Sequence, residues 1–252
     1  MRVEQSRVQL LAPVGVPHPE ADAVGDSLRI LSAVYHYNQW IYALIREEIG
    51  SRVVEVGAGI GNITRFLLHA DELVCLEPFD AYRTYLAEAY SKHLNVRVLA
   101  QRIQDCPNPD VPERHFDSVV CLNVLEHIED DGAALRCCAA LLRPGGRAIV
   151  LVPAFQSIFG EMDRAMGHYR RYSKTGLTAV FRAAGLRVRR ARYMNATGVL
   201  AWWWEGRVRK SRCFSARKAM LFDRLVPFLS AVESIVSPWM GQSLIVVGDK
   251  AK

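Results

Sequence analysis

The sequence lacks the cysteine patterns of a disulfide framework or of a zinc site. Its 252 residues include six cysteines, none in a CxxC pair and none grouped with histidines at the spacing of zinc ligands. Cys75 and Cys121 lie within apolar runs, where cysteine behaves as a small buried hydrophobic residue. This usage predicts a chain without a metal site in a reducing, cytoplasmic compartment.

Long apolar segments are also missing. Residues 1–15 contain no stretch suited to a signal peptide, and the apolar patch 199–204 is far shorter than the ~20 residues of a membrane span. We therefore expect no integral membrane association. The sequence shows no internal repeat and no low-complexity segment. Its content of 50% hydrophobic and 23% charged residues excludes disorder over most of the chain.

Positive charge is in modest excess and is concentrated in two places. The chain has 32 Lys and Arg against 26 Asp and Glu, a net charge of +6. The first basic run consists of Arg187, Arg189, Arg190 and Arg192, and the second of Arg207, Arg209, Lys210, Arg212, Arg217 and Lys218. Such runs indicate either an ordinary solvated face or a surface for nucleic acid, an anionic membrane or an acidic substrate.

The middle of the chain alternates short apolar strands with helices. Strands are predicted at 52–56, 72–76, 96–100, 116–122 and 147–152, and two more at 186–193 and 243–247. Helices are predicted over 27–49, before the first strand, and over 62–70, after it. Strands rich in Val, Ile and Leu that alternate with helices are typical of a buried parallel sheet. We expect a Rossmann-like, doubly wound α/β fold with a mostly parallel sheet of about seven strands, helices on both faces and a helical cap.

A glycine turn follows the first of these strands. Gly57, Gly59 and Gly61 stand at the point where a strand ends and a helix begins, which is where open α/β sheets bind ligands. Their G-x-G-x-G spacing differs from the dinucleotide fingerprint, and Glu55 before them suits a cationic ligand group better than a pyrophosphate. Glu77 follows the next strand, where a carboxylate can accept hydrogen bonds from both hydroxyls of a ribose.

These residues resemble class I S-adenosylmethionine-dependent methyltransferases. The segments 116–122, 123–127 and 142–146 continue the resemblance in the order and spacing of that family. The flanking segments 37–41 and 167–172 resemble the lid helix and the segment after the fifth strand in a bacterial branch that methylates small molecules.

The resemblance implies S-adenosylmethionine as cofactor and S-adenosylhomocysteine as product. The cofactor-binding residues that it implies are Tyr37, Trp40, Glu55, Gly57, Gly59, Gly61, Glu77, Pro78, Arg102, Ile103, Gln104, Leu122 and Asn123. One position departs from the family pattern, because Arg102 stands about where many relatives carry an acid beside the adenine. Backbone groups of Arg102 or Ile103, or the side chain of Gln104 or Asp105, are candidates to replace that acid.

The candidate catalytic residues are His127, His168 and Tyr169, and the candidate acceptor-binding residues are Asp163, Tyr172 and Trp203. A base is needed if the acceptor must lose a proton before it attacks, as an alcohol or phenol must, whereas an amine or an electron-rich carbon needs none. An unperturbed imidazole titrates near neutrality and suits that task. Arg170 and Arg171 are expected either to bind an acidic acceptor or to pair with Glu161 or Asp163.

We interpret residues 1–252 as one methyltransferase domain. Residues 1–50 are expected to form an N-terminal lid, 51–152 the cofactor-binding core, and 153–172 with 195–240 the acceptor-site cap. Aromatic residues of the cap could form an apolar lid over the acceptor. The three consecutive tryptophans at 202–204 cannot all face the same way.

The expected function is methyl transfer to O, N or C of a small acceptor that is aromatic, heterocyclic or otherwise apolar, in natural product biosynthesis. We expect a monomer or homodimer. Two alternatives stay open. The basic runs favour a nucleic-acid methyltransferase, although the chain has no appended RNA-binding module and no Asn/Asp-Pro-Pro-aromatic motif. A non-catalytic cofactor-binding subunit that activates a partner is the other alternative.

Overall fold

The computed structural model describes residues 23–211 and 215–251. In this part of the chain seven strands form one sheet in the order β3-β2-β1-β4-β5-β7-β6, with β7 antiparallel to both neighbours. The strands are β1 (Arg52–Val56), β2 (Glu72–Leu76), β3 (Val96–Leu99), β4 (Phe116–Leu122), β5 (Leu142–Pro153), β6 (Leu186–Met194) and β7 (Ser243–Lys250). This sheet confirms the predicted fold class.

Helices cover both faces of the sheet. The helices are α1 (Ala23–Ala33), α2 (Tyr35–Ile45), α3 (Thr64–Leu67), α4 (Asp80–Ala89), α5 (Asp131–Leu141), α6 (Glu161–Ala165), α7 (Lys174–Ala183), α8 (Ala196–Trp203) and α9 (Ala216–Ile235). Helices α2, α3, α4 and α9 contribute to the apolar core on one face, and α5 and α7 to the core on the other. None of the described helices has both the length and the apolar character that a membrane-spanning helix needs.

Burial on both faces explains the continuous apolar strands. In β4, Val119 and Cys121 belong to the core on one face and Val120 to the core on the other. Successive side chains of a strand point to opposite faces, so both sets must be apolar when helices cover both. The same alternation in β5 leaves Ile149 and Val150 buried on opposite faces.

Several element bounds differ from the sequence predictions. The single helix predicted over 27–49 is two helices, because the backbone breaks at Val34 and the side chain of Asp223 accepts hydrogen bonds at the start of α2. The helix predicted over 62–70 is limited to α3. The fifth strand begins at Leu142, because Leu142 already pairs with Phe116. The part of the expected lid at 1–22 lies outside the described residues.

The expected cap between β6 and β7 contains α8, a short π-helix at Trp204–Val208 and α9. It does not form a single lid over one end of the sheet. α8 packs beside the 153–172 segment, where Ile158, Met162, Val199 and Trp202 form a small buried cluster. α9 instead packs against α2 on a sheet face, with Val226 in that core.

The first basic run lies on the edge strand β6 and is paired with acids. Arg187 contacts Asp249 at 3.1 Å, and Arg189 contacts Glu48 at 3.4 Å. Arg190 lies 4.0 Å from the same Glu48 carboxylate. These ion pairs favour an ordinary solvated face over a surface for nucleic acid, an anionic membrane or an acidic substrate.

Candidate active site

The glycine loop after β1 needs its glycines for two reasons. The φ angles are +67° at Gly57, +56° at Gly59 and +85° at Gly61, which L side chains rarely adopt. A Cβ atom on Gly57 would also lie 2.5 Å from Cγ2 of Val124, in the segment after β4. The loops after β1 and β4 therefore approach each other closely at the carboxyl edge of the sheet.

Glu77 connects this loop to the segment after β2. Its buried carboxylate accepts hydrogen bonds from the backbone N–H of Gly59 at 2.7 Å and of Phe79 at 2.9 Å. Burial raises the pKa of Glu77, although both hydrogen bonds act in the opposite direction. Each carboxylate oxygen can accept a further hydrogen bond. Glu77 therefore fits the ribose-binding acid that the sequence predicts.

Glu55 has a different environment. Its carboxylate is buried and accepts a hydrogen bond from the hydroxyl of Thr64 at 2.6 Å. Burial raises the pKa of Glu55 to about 7. The observed contact ties β1 to the start of α3, and direct binding of a cofactor by Glu55 stays a prediction.

The residues predicted around the adenine differ in exposure. Ile103 is buried, whereas Arg102 and Gln104 are exposed. The Arg102 guanidinium pairs with Asp105, with 3.2 Å between Nε and Oδ2. Their cofactor contacts stay predictions.

The residues predicted to bind the cofactor at the ends of β2 and β4 also differ in exposure. Pro78 and Asn123 are exposed, and Leu122 is half-buried. Asn123 has a positive φ of 55°, and its N–H donates to the carbonyl of Leu151 at 2.8 Å. These three residues lie at or just after the carboxyl ends of β2 and β4, and their cofactor contacts stay predictions.

The predicted lid residues Tyr37 and Trp40 pack inside the protein. Trp40 is buried, and the Tyr37 ring lies edge-on to the rings of Trp40 and Phe222 at centroid distances of 6.2 and 6.3 Å. Burial raises the pKa of Tyr37, whose hydroxyl lies beside Ser243. Their cofactor contacts stay predictions, and the observed packing joins α2 to α9.

The element that covers the glycine loop is α1. A Cβ on Gly59 would lie 3.2 Å from the side chain of Leu28, and the Asn62 amide donates to the Leu28 carbonyl at 3.1 Å. Next to Leu28 in the chain, Ser27 contacts the sulfur of Met166 at 3.4 Å. Sequence reasoning missed Leu28, because nothing in its local pattern shows that it packs on the glycine loop.

The residues predicted to serve catalysis and acceptor binding centre on His168. Its Nδ1 lies 3.0 Å from Oδ1 of Asp163, whose side chain is completely buried. The His127 ring packs edge-on against the His168 ring with 4.7 Å between centroids. Burial, and after it the neighbouring His168, lower the pKa of His127 to about 4, so His127 is neutral at pH 7. Two of the three predicted catalytic residues therefore lie in direct contact.

Asp163 receives four hydrogen bonds. Besides His168, its donors are Gly160 N–H at 2.9 Å, Arg171 Nε at 2.7 Å and Trp202 Nε1 at 3.1 Å. Burial alone would raise the pKa of Asp163, but the His168 hydrogen bond and the Arg171 charge outweigh it and lower the pKa. Its oxygens are engaged inside the protein, which argues against the predicted contact between Asp163 and the acceptor.

The sequence left open how Arg170 and Arg171 pair. Arg171 pairs with Asp163, and its guanidinium lies over the Trp202 ring at 4.5 Å. Arg170 pairs with Asp131 at 3.1 Å. Sequence reasoning placed Trp202 among the cap aromatics but missed its contact with Asp163.

Glu126 is a further residue that sequence reasoning missed. Its carboxylate is buried, its Oε2 has no hydrogen-bond partner among the described residues, and burial raises its pKa to about 7. Glu126, His127 and His168 offer three possible ligand atoms within 4.8 Å of one another. Two imidazoles and a carboxylate could hold Zn²⁺, Mn²⁺ or Fe²⁺. Sequence spacing did not reveal this group, because His168 comes from a different segment of the chain.

The remaining candidates occupy contrasting positions. Tyr169 is exposed, and its N–H donates to the Glu126 carbonyl at 2.8 Å. Tyr172 is buried in the core and donates its hydroxyl to Asp131 at 2.8 Å, which argues against the predicted acceptor contact. Trp203 is half-exposed on α8, whereas Trp202 is buried. The tryptophans therefore face different ways, as predicted.

The sheet, the glycine loop and the buried acid after β2 define a class of protein: an enzyme that transfers a methyl group from S-adenosylmethionine. Residues 35–191 match the family described as a methyltransferase domain, and the chain belongs to that family. This confirms the enzyme class, the cofactor and the resemblance found in the sequence.

Curated relatives include a ubiquinone biosynthesis O-methyltransferase of Xanthomonas axonopodis pv. citri. It is 28% identical over 181 residues, which cover 66% of this chain and 72% of the relative. A second, from Xanthomonas euvesicatoria pv. vesicatoria, is 28% identical over 187 residues, 68% of this chain and 75% of the relative.

Solved structures show the same fold. The 1,6-didemethyltoxoflavin-N1-methyltransferase of Burkholderia thailandensis, with bound S-adenosylhomocysteine, has a TM-score of 0.56 and 17% identity over 94% of both chains. Phosphoethanolamine N-methyltransferase 2 of Haemonchus contortus, in complex with S-adenosyl-L-methionine, has a TM-score of 0.60 and 16% identity. That match covers 89% of this chain and 57% of the other.

The described residues fit S-adenosylmethionine. The three glycines at positive φ put no side chain at their positions in the loop after β1, and Glu77 keeps acceptor capacity on a buried carboxylate. When bound, the cofactor supplies a methyl group that its sulfonium has already activated. The protein must hold the cofactor, orient the acceptor, exclude water and manage the acceptor's proton.

Proposed function

We propose that this enzyme methylates a hydroxyl oxygen of a small, apolar acceptor, with His168 as the general base. One observation carries this proposal: the contact between His168 Nδ1 and the buried Asp163. When Nδ1–H donates to a carboxylate, the lone pair of a neutral imidazole is at Nε2. A hydroxyl acceptor needs such a base, whereas a neutral amine does not.

The network around Asp163 suits this role. His168 accepts the acceptor's proton at Nε2, and the negative charge of Asp163 stabilises the resulting imidazolium. Arg171 and Trp202 hold Asp163 from other segments of the chain. In this proposal Asp163 and Arg171 are positioning residues, and His168 is the catalytic residue. His127 and Tyr169 are proposed to line the acceptor side next to it, with Trp203 at its edge.

The curated relatives support oxygen as the methylated atom. They are named O-methyltransferases of ubiquinone biosynthesis, which fits a small acceptor with an apolar part. Their names do not indicate the natural product biosynthesis expected from the sequence. We therefore propose a hydroxylated, apolar ring compound as the acceptor class.

The test is transfer of a labelled methyl group from S-adenosylmethionine to matched acceptors. The set contains an alkylated catechol, the aniline with the same alkyl chain, the fully methoxylated compound and total RNA. We expect label on the catechol oxygen and none on the methoxylated compound. Label confined to the aniline or to RNA, with the catechol unlabelled, would overturn the proposal.

A substitution at His168 tests the general base separately from the contacts that bind the cofactor and the acceptor. His168→Gln keeps a polar side chain of similar length but cannot accept the proton. We expect catechol methylation to fall about 10²–10⁴-fold, the usual contribution of a general base. Wild-type rates in His168→Gln would show that His168 is not the base, even if the enzyme methylates oxygen.

A further inference from the structure

α9 carries a stripe of exposed apolar side chains along its outer side. We call Leu221, Leu225, Phe228, Val232 and Ile235 the α9 stripe. They recur every three or four residues, which places them on one side of the helix. All five are exposed, Phe228 by 70% and Ile235 by 85%. Soluble proteins rarely leave a continuous apolar surface of this kind without a partner.

The inner side of α9 fixes the direction of this stripe. Val226 is buried in the core. Asp223 accepts hydrogen bonds from the backbone N–H groups of His36 and Tyr37, at 3.2 and 2.8 Å, at the start of α2. Glu233 accepts them from Asn195 and Ala196, at 3.1 and 2.8 Å, at the start of α8. Both acids of α9 therefore point inward and hold the stripe outward.

The exposed charges of α9 consequently have one sign. Arg217, Lys218 and Arg224 are exposed, whereas both acidic residues of the helix are buried. The described part of the second basic run before α9 adds Arg207, Arg209 and Lys210, all exposed. Glu205 pairs with Lys218 and Arg209, but Arg217 and Arg224 flank the stripe without a neighbouring acid on α9.

Tryptophans stand near both ends of this surface. Trp204 is exposed in the turn after α8, and Trp239 is 83% exposed after the end of α9. Tryptophan is enriched where proteins meet the headgroup region of a bilayer. A helix with an apolar face, cationic flanks and tryptophans lies in the plane of that region.

We propose that the α9 stripe docks on the surface of a membrane that contains anionic phospholipids. The apolar side chains enter the acyl boundary, and Arg217 and Arg224 lie among the anionic headgroups. A second copy of the chain is a poorer occupant, because the exposed charges of α9 are all basic and the same face of a second copy offers no acid to pair with them. The segment lies outside residues 35–191, so the family match does not supply this surface.

The test is co-sedimentation of the full chain with vesicles of phosphatidylcholine alone or with 25% phosphatidylglycerol. We expect binding to the anionic vesicles that is at least 10-fold stronger than to the neutral ones and that weakens as salt rises. Equal binding to both vesicles, or binding to neither, would overturn the proposal.

Matched variants assign any binding to this surface. Leu225→Ser/Phe228→Ser removes part of the stripe, and Arg217→Gln/Arg224→Gln removes its charge. Each should lower binding at least 10-fold. Leu94→Ser changes a leucine that is 99% exposed elsewhere, and Arg136→Gln changes an exposed arginine on α5. Neither control should alter binding, and an equal loss in the controls would contradict the assignment.

Two further readouts separate folding and self-association from docking. All four variants change exposed residues, so each should unfold at the wild-type temperature and bind S-adenosylhomocysteine as wild type does. Sedimentation velocity shows the oligomeric state without vesicles. A dimer that Leu225→Ser/Phe228→Ser abolishes, without any vesicle binding by wild type, would assign the stripe to a second copy and overturn the membrane proposal.

Discussion

The two sides of the candidate site are held by different kinds of contact. On the cofactor side, Glu77 binds backbone N–H groups of Gly59 and Phe79, both in loops that follow neighbouring strands. On the proposed acceptor side, Asp163 binds the side chains of His168, Arg171 and Trp202. The first arrangement depends on strand order and glycines. The second depends on how α8 packs against the segment after β5.

This difference predicts which substitutions damage stability and which damage binding alone. The acceptor side contains a buried ion pair, so a change there should destabilise the whole protein. The cofactor side is held by backbone groups at the edge of the sheet. Changes in its side chains should therefore weaken cofactor binding more than folding.

The largest effect is expected for Asp163→Asn, which leaves the buried Arg171 guanidinium without its counter-charge. Loss of one partner of a buried ion pair costs about 3–5 kcal/mol. The measurement is urea unfolding. Glu161→Gln on the same helix breaks an exposed ion pair to Arg164 and should cost at most about 1 kcal/mol. Equal losses in the two variants would contradict the account.

Glu77→Gln should weaken cofactor binding more than it destabilises the fold. Loss of the charged acceptor for a ribose costs about 3 kcal/mol, which weakens binding of S-adenosylhomocysteine about 100-fold. Calorimetric titration measures this. Glu88→Gln, an exposed position on α4, is the control and should bind as wild type does. Unchanged affinity in Glu77→Gln would remove Glu77 from the cofactor site.

Gly57→Ala and Gly145→Ala separate backbone strain from steric clash. Both glycines have positive φ, but a Cβ on Gly57 meets Val124 at 2.5 Å, whereas one on Gly145 meets nothing within 4 Å. Gly145→Ala should cost about 1 kcal/mol of unfolding free energy through strain alone. Gly57→Ala should cost about 2 kcal/mol and should also weaken cofactor binding. If both variants lost the same stability and neither lost affinity, the close approach of Val124 would have no effect.

A separate effect is a pH dependence from Glu126. Its pKa in the folded state is about 7 against an ordinary value of 4.5, so the folded state binds more protons. This group therefore stabilises the fold below about pH 4.5, and its contribution is lost as pH rises through 7. His127 has the opposite sign, because its lowered pKa gives stability above its ordinary value of 6.5 that is lost towards pH 4.

Substitutions at two glutamates separate the effect of the Glu126 carboxyl on stability from that of His127. Glu126→Gln should gain stability relative to wild type between pH 5 and 8, as measured by urea unfolding at each pH. The exposed Glu129→Gln should show no such change. A constant difference between wild type and Glu126→Gln across this range would mean that the pKa of Glu126 is not raised.

The sheet was predictable because apolar strands buried on both faces leave a direct pattern in the sequence. The glycine loop and Glu77 were predictable for a related reason: strand order alone brings the ends of β1 and β2 together. The break at Val34 was not, because Asp223, whose carboxylate accepts hydrogen bonds at the start of α2, lies far along the chain.

Side-chain direction limited prediction on the acceptor side. Tyr172 and Asp163 were predicted to contact the acceptor, but the sequence does not show that both side chains are buried. Glu126 stands beside a predicted residue and was missed, since burial of its carboxylate depends on the segment after β5. The two basic runs also look alike in sequence, yet the first pairs with Glu48 and Asp249 across the fold, whereas in the described part of the second Arg209 and Lys218 pair with Glu205.

The most direct test combines binding and methyl transfer in His168→Gln. If the two sides act as described, this variant binds S-adenosylhomocysteine with wild-type affinity in calorimetric titration. Its transfer of methyl to a hydroxylated acceptor falls by about 10²-fold or more. Weakened cofactor binding, or transfer at the wild-type rate, would contradict the assignment of a cofactor side centred on Glu77 and a proton-accepting side centred on His168.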